Sequence, residues 1–440
     1  MSASTAGRVP RTALIHDFLV SVRGADRVFR EICDLWPDAD VFTPVYNEQG
    51  TEGRFADRNI QTSFLQRLRP TASTFRALLP LYPAAIESFD LSGYELVISS
   101  SSAWAHAVIC DERAVHVSYC HNPFRYAWNE RHRTLAERSD PLSRAALSRL
   151  FRRWREWDWI AAQRVDRYVT NSRTTQARIK AYFGRDSRVI YPPVETERFQ
   201  PQAPGSHYLV LSALLSHKQI EVAVEAFNSL RAPLVIAGGG PDARRLRRLA
   251  GPTIRFAGRV SDAEVARLLA SSRALVVTSG EEFGIAAVEA QAAGRPVIAR
   301  AAGGLLENVL DGVTGCLWEG GPAELAEAVA RFDADAVGFA ARSPAGSRVR
   351  RAARPRPRAG TRRGTPTRRS AARWRRRPRG PRSRRRSGPL PRPARRDHPP
   401  RGTLSHRRRC SRAGLPPPVR SRDDRPPGPP PPRSRTPPRS

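Results

Sequence analysis

Short apolar runs alternate with amphipathic helical segments through the first 335 residues, and this alternation constrains the fold more than any other feature. Repeated strand-helix units of this kind are typical of parallel sheets covered by helices. A first series predicts strands at Thr12 to Phe18, Ala39 to Thr43, Tyr94 to Ser99, Val115 to Tyr119, Arg167 to Thr170 and Arg188 to Tyr191. A second series predicts strands at Tyr208 to Ser212, Pro233 to Ala237, Thr253 to Ala257, Ala274 to Thr278 and Pro296 to Arg300.

The two series indicate an α/β chain with two Rossmann-like domains. The segment Tyr191 to Glu195 reads YPPVE, and we place the hinge there because two prolines neither continue a strand ladder nor open a helix interior. The predicted domains are residues 1–193 and residues 194–340, which leaves 341–440 outside both. A ligand would bind in the cleft outside the carboxyl ends of both sheets, where the strand-to-helix loops meet.

Residues 341–440 have a different composition from the rest. They hold 34 arginines, no lysine, 22 prolines and three acidic residues, and therefore carry +31 of the net charge of +34. Such a segment cannot bury enough apolar surface to offset its chain entropy, so we predict a disordered basic tail. Its binding to nucleic acid or acidic lipid would be electrostatic and unselective. The alternative is a frameshift near residues 333–343, since GC-rich DNA read out of frame has this composition.

The remaining composition excludes several classes of protein. The five cysteines form no CxxC pair, which argues against a zinc site and a secreted disulfide framework and fits a cytoplasmic protein. No run of eighteen apolar residues occurs. The basic, aromatic stretch Arg144 to Arg167 allows peripheral contact with anionic lipid. The interpretation we favour is a domain helix that buries Trp154 and Trp157.

The segment Ser279 to Ala299, SGEEFGIAAVEAQAAGRPVIA, is the most informative about function. Seven residues separate Glu281 from Glu289, and Gly284 stands where a helix would begin. The amides of the first helical turn would then be free to bind a phosphate. Glu281 would point into the cleft, while Glu289 would reach a second group such as a ribose. A sugar nucleotide requires this combination of groups.

The two glutamates alone are weak evidence, but ordered segments surround them. These are SALLSHKQIEVAVEAFNSL from Ser212, AGGGPD from Ala237, FAGRVSDAEV from Phe256 and AGRPVIARAAGGLLENVLDGVTG from Ala293. With them, the chain resembles the family 4 glycosyltransferases of the GT-B fold over roughly residues 10–335. The resemblance implies two Rossmann-like domains that face each other across a cleft.

Two N-terminal segments extend the resemblance. VRGADRV, Val22 to Val28, is similar to the glycine-containing loop beneath the donor phosphates. HVSYCHNPFRYAW, His116 to Trp128, resembles mannosyltransferases of polysaccharide and lipopolysaccharide synthesis. Two departures from the family pattern are Ala213, where many relatives carry an arginine, and Ala25, where the second glycine is usual.

The resemblance implies a retaining transferase that moves a hexose, mannose from GDP-mannose, to a saccharide or lipid-linked saccharide without a metal or other cofactor. His121 would lie beside the reacting carbon, and Glu281 would orient the transferred sugar. Lys218 would bind the diphosphate, Arg259 would lie near the base and Glu289 would hold the ribose. The implied donor-binding residues are Arg23, Gly24, Lys218, Arg259, Phe283, Gly284, Ile285 and Glu289.

Three alternatives remain open from the sequence. A sugar-nucleotide epimerase on the same fold would use the same donor site. A nucleic-acid-binding protein would act through the basic tail. An inactive product is the third, because the family usually ends with a helix that crosses back onto the N-terminal domain, and nothing after Val337 resembles one. At His16, contact with the acceptor and simple packing are equally compatible with the sequence.

Overall fold

The computed structural model describes residues 9–72 and 74–335. The segment 341–440, for which a disordered tail was predicted, lies outside these residues, as does most of the suspected frameshift junction. Within the described ranges the chain forms two parallel sheets and eleven α-helices. The α/β architecture predicted from the alternating pattern is therefore confirmed.

The first sheet has seven strands in the order β3-β2-β1-β4-β5-β6-β7, all parallel. Its strands are β1 (Thr12–His16), β2 (Asp40–Thr43), β3 (Ile60–Thr62), β4 (Leu96–Ser101), β5 (Val115–Cys120), β6 (Arg167–Thr170) and β7 (Ser187–Val189). We call the part of the chain built on this sheet the N-terminal lobe. Ala13 and Ile15 of β1 enter one hydrophobic cluster and Leu14 enters another, so helices cover both faces of the sheet.

The second sheet has six parallel strands in the order β10-β9-β8-β11-β12-β13. Its strands are β8 (Tyr208–Leu211), β9 (Leu234–Ala237), β10 (Ile254–Gly258), β11 (Leu275–Val277), β12 (Val297–Arg300) and β13 (Gly315–Trp318). We call the part built on this sheet the C-terminal lobe. Tyr208 and Val210 enter one cluster and Leu209 another, which again shows a sheet buried on both faces.

Helices connect most consecutive strands. They are α1 (Gly24–Leu35), α2 (Tyr82–Glu87), α3 (Arg131–Ala136), α4 (Pro141–Ala162), α5 (Arg173–Phe183), α6 (Ile220–Leu230), α7 (Ala243–Leu249), α8 (Asp262–Ser271), α9 (Ile285–Ala292), α10 (Leu305–Asn308) and α11 (Pro322–Ala334). Short 3₁₀ helices lie at Phe64–Leu68, Phe75–Leu81, Ala105–Ala107, Thr196–Arg198 and Ser216–Lys218.

Two local predictions are confirmed. Ser261 caps α8, and its hydroxyl accepts a hydrogen bond of 3.3 Å from the Glu264 amide. In α4, Trp154 is buried and Trp157 packs against the N-terminal core, so this helix belongs to the domain interior along one face. Trp159 and Ile160 of the same helix are exposed. Contact of α4 with a membrane stays a prediction.

Two strands, β3 and β13, were not predicted from the sequence. The strand β3 holds only three residues, IQT, two of them exposed, so it has no apolar run to mark it. The strand β13 reads GCLW and follows a turn, and it too lies at a sheet edge. The hinge predicted at residue 193 falls in the segment between β7 and β8, and the exact domain boundary stays a prediction.

The strand order identifies one crevice in each sheet. In the first sheet β1 lies between β2 and β4, so the chain runs outward in opposite directions from β1 and β4. In the second sheet β8 and β11 have the same relationship. The loops that follow such strand pairs separate and leave a crevice at the carboxyl ends, which is the usual ligand position in open α/β sheets.

Candidate functional site

Lys218 and Glu281 meet in the crevice of the C-terminal lobe. Lys218 lies in the loop after β8, and Glu281 lies in the loop after β11. The Lys218 ammonium donates to both carboxylate oxygens of Glu281, at 2.8 Å and 2.6 Å. The Thr278 hydroxyl donates to the Lys218 carbonyl at 2.7 Å, and the Ser279 hydroxyl donates to Glu281 at 2.9 Å. The two loops therefore hold each other in place through the predicted site residues.

The helix α9 begins directly after this pair. Gly284 precedes its first residue with φ +88°, a left-handed conformation that favours glycine. A helix that begins at Ile285 leaves the amides of its first turn without carbonyl partners inside the helix. The helix start predicted from the sequence is thus confirmed, and the first helical residue lies four positions beyond Glu281. Its amides and the Lys218 ammonium are the groups that could bind an anion here.

Gly24 of the N-terminal lobe faces the start of α9. A Cβ atom added to Gly24 would lie 3.0 Å from the Cδ1 atom of Ile285, which is tighter than ordinary packing. The structure thus brings together two residues predicted to bind the donor. Phe283 is buried in a small cluster with Val194 and Val288, where its ring supports the loop rather than facing open solvent.

Glu289 is already engaged in an ion pair. Arg198, in the segment between the two lobes, donates to it at 2.6 Å, and the Glu289 side chain is 10% exposed. Burial raises the pKa of Glu289, while Arg198 and Arg27 act in the opposite direction. The sequence prediction that Glu289 holds a ribose would require a hydroxyl pair to share this carboxylate with Arg198.

Arg23 and Arg259 lie near each other from opposite lobes. The Arg259 side chain passes over Gly239, where a Cβ atom would lie 2.9 Å from the Arg259 Cγ atom. Burial lowers the pKa of Arg23, and the neighbouring charges of Arg76 and Arg259 lower it further. The AGGG loop thus provides space for Arg259, and the two predicted donor residues contribute positive charge to one region.

His121 follows β5 and is buried, with its Nε2 atom 2.9 Å from the Ser100 hydroxyl. Burial lowers its pKa to about 3, and the nearby His16 adds to this effect, so the imidazole is neutral at physiological pH. His16 is also buried. Its ring stacks on Phe29 at 4.5 Å and its Nε2 atom lies 3.1 Å from Asp26, so the structure favours packing over contact with an acceptor.

An ion-pair cluster between the lobes was not predicted. Glu282, next to Glu281, pairs with Arg125 at 3.3 Å and with Arg178 at 3.8 Å, and both arginines belong to the N-terminal lobe. Arg125 also donates to the Nε2 atom of His217 at 3.0 Å. Burial alone would raise the pKa of Glu282, but Arg125, Lys218 and Arg178 outweigh it and lower the pKa to about 2. The carboxylate is therefore ionised across the physiological range.

The imidazole of His217 completes this cluster. Burial and the charges of Arg125 and Lys218 lower its pKa to about 3, so the ring is neutral and can accept the hydrogen bond from Arg125. Since His217 immediately precedes Lys218, the N-terminal lobe contacts the loop that carries the predicted phosphate-binding lysine. Arg125 lies within the segment His116 to Trp128, but no local sequence pattern indicated its partner.

Two further carboxylates join the lobes. Asp262 at the start of α8 pairs with Arg27 and with Arg54, the latter at 2.7 Å. Glu307 of α10 accepts hydrogen bonds from the amide of Arg173 at 2.8 Å and from the Tyr191 hydroxyl at 3.0 Å. The contact with the Arg173 amide places the Glu307 carboxylate at the N-terminus of α5, where the helix dipole favours negative charge.

Asp17 organises the crevice of the first sheet. It follows β1 and is buried, and its carboxylate accepts hydrogen bonds from successive backbone amides after β4. The donors are Ser102, Ala103, Trp104 and Ala105. Asp17 therefore fixes the loop between the ends of β1 and β4 without leaving its own charge free for a ligand. The only feature of the sequence that pointed to Asp17 was its position directly after a buried strand.

No helix within residues 9–72 and 74–335 is long and apolar enough to cross a lipid bilayer. In the same ranges, no group of three or more His, Cys, Asp or Glu side chains is arranged to hold a metal ion.

Comparison with known proteins gives matches over both lobes. A model of the family described as "Glycosyltransferase Family 4" matches residues 22–198, and one described as "Glycosyl transferases group 1" matches residues 206–335. Together the two matches span more than half of the chain.

Individual relatives match with lower coverage. A D-inositol 3-phosphate glycosyltransferase of Acidothermus cellulolyticus is 31% identical over 213 residues, 40% of this chain and 47% of the relative. The human alpha-1,3/1,6-mannosyltransferase is 30% identical over 226 residues, 42% of this chain and 54% of the relative. The match thus spans about half the length of each of these curated relatives.

Among solved structures, the Anabaena HepE complex with UDP and glucose has a TM-score of 0.57 at 18% identity. The match covers 78% of this chain and 96% of that protein. At this identity the likeness concerns the fold.

Proposed function

The chain belongs to the family 4 glycosyltransferases of the GT-B fold, and on that premise we propose that it transfers a hexosyl group from a nucleotide-sugar to a saccharide or lipid-linked saccharide. The observation that carries the proposal is the Lys218–Glu281 pair beside the free amides of α9. A cation and helix amides bind a diphosphate, and a carboxylate next to them accepts hydrogen bonds from sugar hydroxyls.

The chemistry requires charge stabilisation at two positions. The leaving nucleoside diphosphate gains negative charge, which Lys218, Arg23 and the amides of Gly284 and Ile285 would stabilise. The transferred sugar gains oxocarbenium character, and Glu281 would orient it through its hydroxyls. Donor binding would thus redirect Lys218 from Glu281 to the diphosphate and release the carboxylate for the sugar. We propose retention of anomeric configuration, as the family resemblance implies.

His121 would act near the reacting carbon as a neutral hydrogen-bonding group. Its pKa of about 3 leaves it uncharged, and the contact with Ser100 occupies its Nε2 atom. A neutral ring can assist the sugar or the incoming hydroxyl through its other nitrogen without repelling a developing positive charge. We propose this assisting role for His121 rather than nucleophilic attack.

For the donor we propose GDP-mannose. The segment His116 to Trp128 supports this through its resemblance to mannosyltransferases, and the human relative is named as a mannosyltransferase. The HepE complex contains UDP and glucose, so UDP-glucose is the donor to compare.

A donor panel tests the proposal directly. The protein is incubated with GDP- and UDP-sugars, with and without saccharide acceptors, and release of GDP or UDP is followed together with the sugar products. We expect one donor to release its nucleoside diphosphate and to yield a transferred product. Equilibration of the donor sugar with its epimer in the absence of acceptor would instead identify an epimerase. Absence of any donor turnover or binding would contradict the proposal.

A further inference from the structure

Two arginines of the N-terminal lobe lie over one aromatic ring at the cleft. The guanidinium carbon of Arg76 is 4.9 Å from the centre of the Phe75 ring, and that of Arg23 is 5.6 Å from the same centre. Phe75 is buried and packs on Phe18, which follows β1, with ring centres 4.7 Å apart. Both guanidinium groups therefore lie near the carboxyl end of β1, beside the crevice of the first sheet.

Neither of these arginines makes an ion pair with a residue that the structure describes. The carboxylate closest along the chain, Asp26, is occupied by His16 at 3.1 Å and by the backbone amide of Arg23 at 2.8 Å. Arg259 of the C-terminal lobe, whose charge also acts on Arg23, forms no ion pair within the same ranges. In contrast, Arg27, Arg54, Arg125 and Arg198, which line other parts of the contact between the lobes, all have carboxylate partners.

Packing alone does not account for this arrangement. One guanidinium over a ring gains a modest electrostatic attraction. A second guanidinium near the same ring adds like-charge repulsion, which a bound anion would relieve. Burial and the charges of Arg76 and Arg259 lower the pKa of Arg23, while the charge of Asp26 raises it. Arginines that have no carboxylate partner among residues 9–72 and 74–335 can bind a ligand that brings negative charge.

The position of Arg76 separates it from the donor groups. The predicted diphosphate ligands, Lys218 and the amides of α9, belong to the C-terminal lobe, and Arg259 lies on that side too. Arg76 lies on the opposite wall, with Arg23 between the two. A planar guanidinium binds phosphate oxygens through two parallel hydrogen bonds, so a pair of them suits a phosphate group better than a neutral sugar.

We propose that Arg76 binds a phosphate group carried by the acceptor, and that Arg23, which lies between this phosphate and the donor diphosphate, contacts both. This inference rests on the proposed glycosyl transfer and adds the class of acceptor. A soluble sugar phosphate and a lipid-linked sugar phosphate present the same phosphate oxygens to the two arginines. The phosphate would fix the acceptor on the N-terminal wall, so that a hydroxyl of the same molecule faces the donor sugar.

The test compares acceptors that differ only in charge. Glucose, glucose 6-phosphate and glucose linked to a short prenyl diphosphate are offered to the full-length protein with its preferred donor. We expect kcat/KM for a phosphorylated acceptor to exceed that for glucose by about tenfold or more. The soluble and the prenyl-linked phosphates separate the two sources of the group. Equal use of glucose and of both phosphorylated acceptors would overturn the proposal.

Variants at Arg76 test whether this residue provides the preference. We expect Arg76→Gln to abolish most of it through a higher KM for the phosphorylated acceptor, and Arg76→Lys to restore part of it. Arg149→Gln removes the same charge from the exposed face of α4 and should leave the preference unchanged. A loss in Arg76→Gln that is equal for glucose and for the phosphorylated acceptors would also overturn the proposal.

A binding measurement separates this inference from the proposed function. Calorimetry with glucose 6-phosphate alone requires no turnover, so it reports on the phosphate site even if no donor is used. We expect the wild-type protein to bind glucose 6-phosphate at least about tenfold more tightly than Arg76→Gln does. Identical affinities for the two proteins would contradict the site, whereas tight binding without donor turnover would contradict only glycosyl transfer.

Discussion

The Lys218 ammonium and the Glu281 carboxylate form a two-point ion pair, with nitrogen–oxygen distances of 2.8 Å and 2.6 Å. Both side chains are partly buried, at 17% and 21% exposure, in the crevice between the loops after β8 and β11. The two groups to which we assign opposite parts of the donor thus neutralise each other in the structure. Under the proposed function, donor binding would replace this ion pair with a lysine–diphosphate contact and a carboxylate–sugar contact.

Chemical labelling of lysine tests this exchange. The sequence contains only two lysines, Lys218 and Lys180, and Lys180 is an exposed residue of α5 that pairs with Asp186. We expect saturating nucleotide-sugar to reduce acetylation of Lys218 severalfold, measured by peptide mass spectrometry, because the diphosphate covers its ammonium group. Lys180 provides the internal control and should react equally with and without donor. Unchanged labelling of Lys218 would exclude it from the diphosphate site.

Substitution of either member of the pair should impair transfer. We expect Lys218→Ala and Glu281→Ala each to lower kcat/KM by about a hundredfold or more, because each removes charge stabilisation from the transition state. The two groups are in contact, so the double variant should lose less than the product of the single losses. Lys180→Ala is the matched control. Donor turnover like that of the wild type in both single variants would refute their assignment.

The sequence predicted the elements of the fold better than the contacts between them. Long apolar runs and capping residues such as Ser261 act locally, and so do the glycine and helix start at Gly284, which is why these predictions are confirmed. The strand β3 was missed because a three-residue edge strand has almost no local signal. Partners such as Arg125 and Glu282 are 157 positions apart, and only the packing of the two lobes determines their pairing.

In the candidate site, too, local motifs were predicted from the sequence whereas long-range contacts were not. Lys218, Glu281, Gly24 and Ile285 were all selected from local motifs, and the structure places them in two close contacts. The ion pair of Glu289 with Arg198 was not predicted, because arginine and glutamate are frequent on exposed surfaces and their sequence positions do not indicate a buried pair. The roles of Lys218, Glu281 and Gly24 toward a donor stay predictions, which substitutions at these positions would test.

A methyl group at Gly24 should interfere with the contact between the lobes. The added Cβ would lie 3.0 Å from the Ile285 Cδ1 atom, so the isoleucine must leave its rotamer or the lobes must separate slightly. We expect Gly24→Ala to lower kcat/KM by about two- to tenfold, the range for an off-rotamer side chain. In an Ile285→Val background, which lacks Cδ1, the same change should cost less than about twofold. Equal losses in both backgrounds would rule out this steric explanation.

The pairing of Glu282 with Arg125 and Arg178 should make stability depend on pH in a defined window. The pKa of Glu282 is lowered to about 2 in the folded protein, against an ordinary value of 4.5. A carboxylate with a depressed folded-state pKa stabilises the fold fully above its unfolded pKa, and this contribution is lost as pH falls toward the folded value. Glu282→Gln should therefore lower the unfolding temperature most above about pH 5, with the difference from wild type shrinking between about pH 4.5 and pH 2. Glu156→Gln, which removes a carboxylate 3.8 Å from Arg152 on the exposed face of α4, is the control and should change the unfolding temperature little. A Glu282→Gln difference that stays constant from pH 7 to pH 3, measured by calorimetry of both proteins in the same buffers, would show that the ion pairs between the lobes do not contribute as ionised groups.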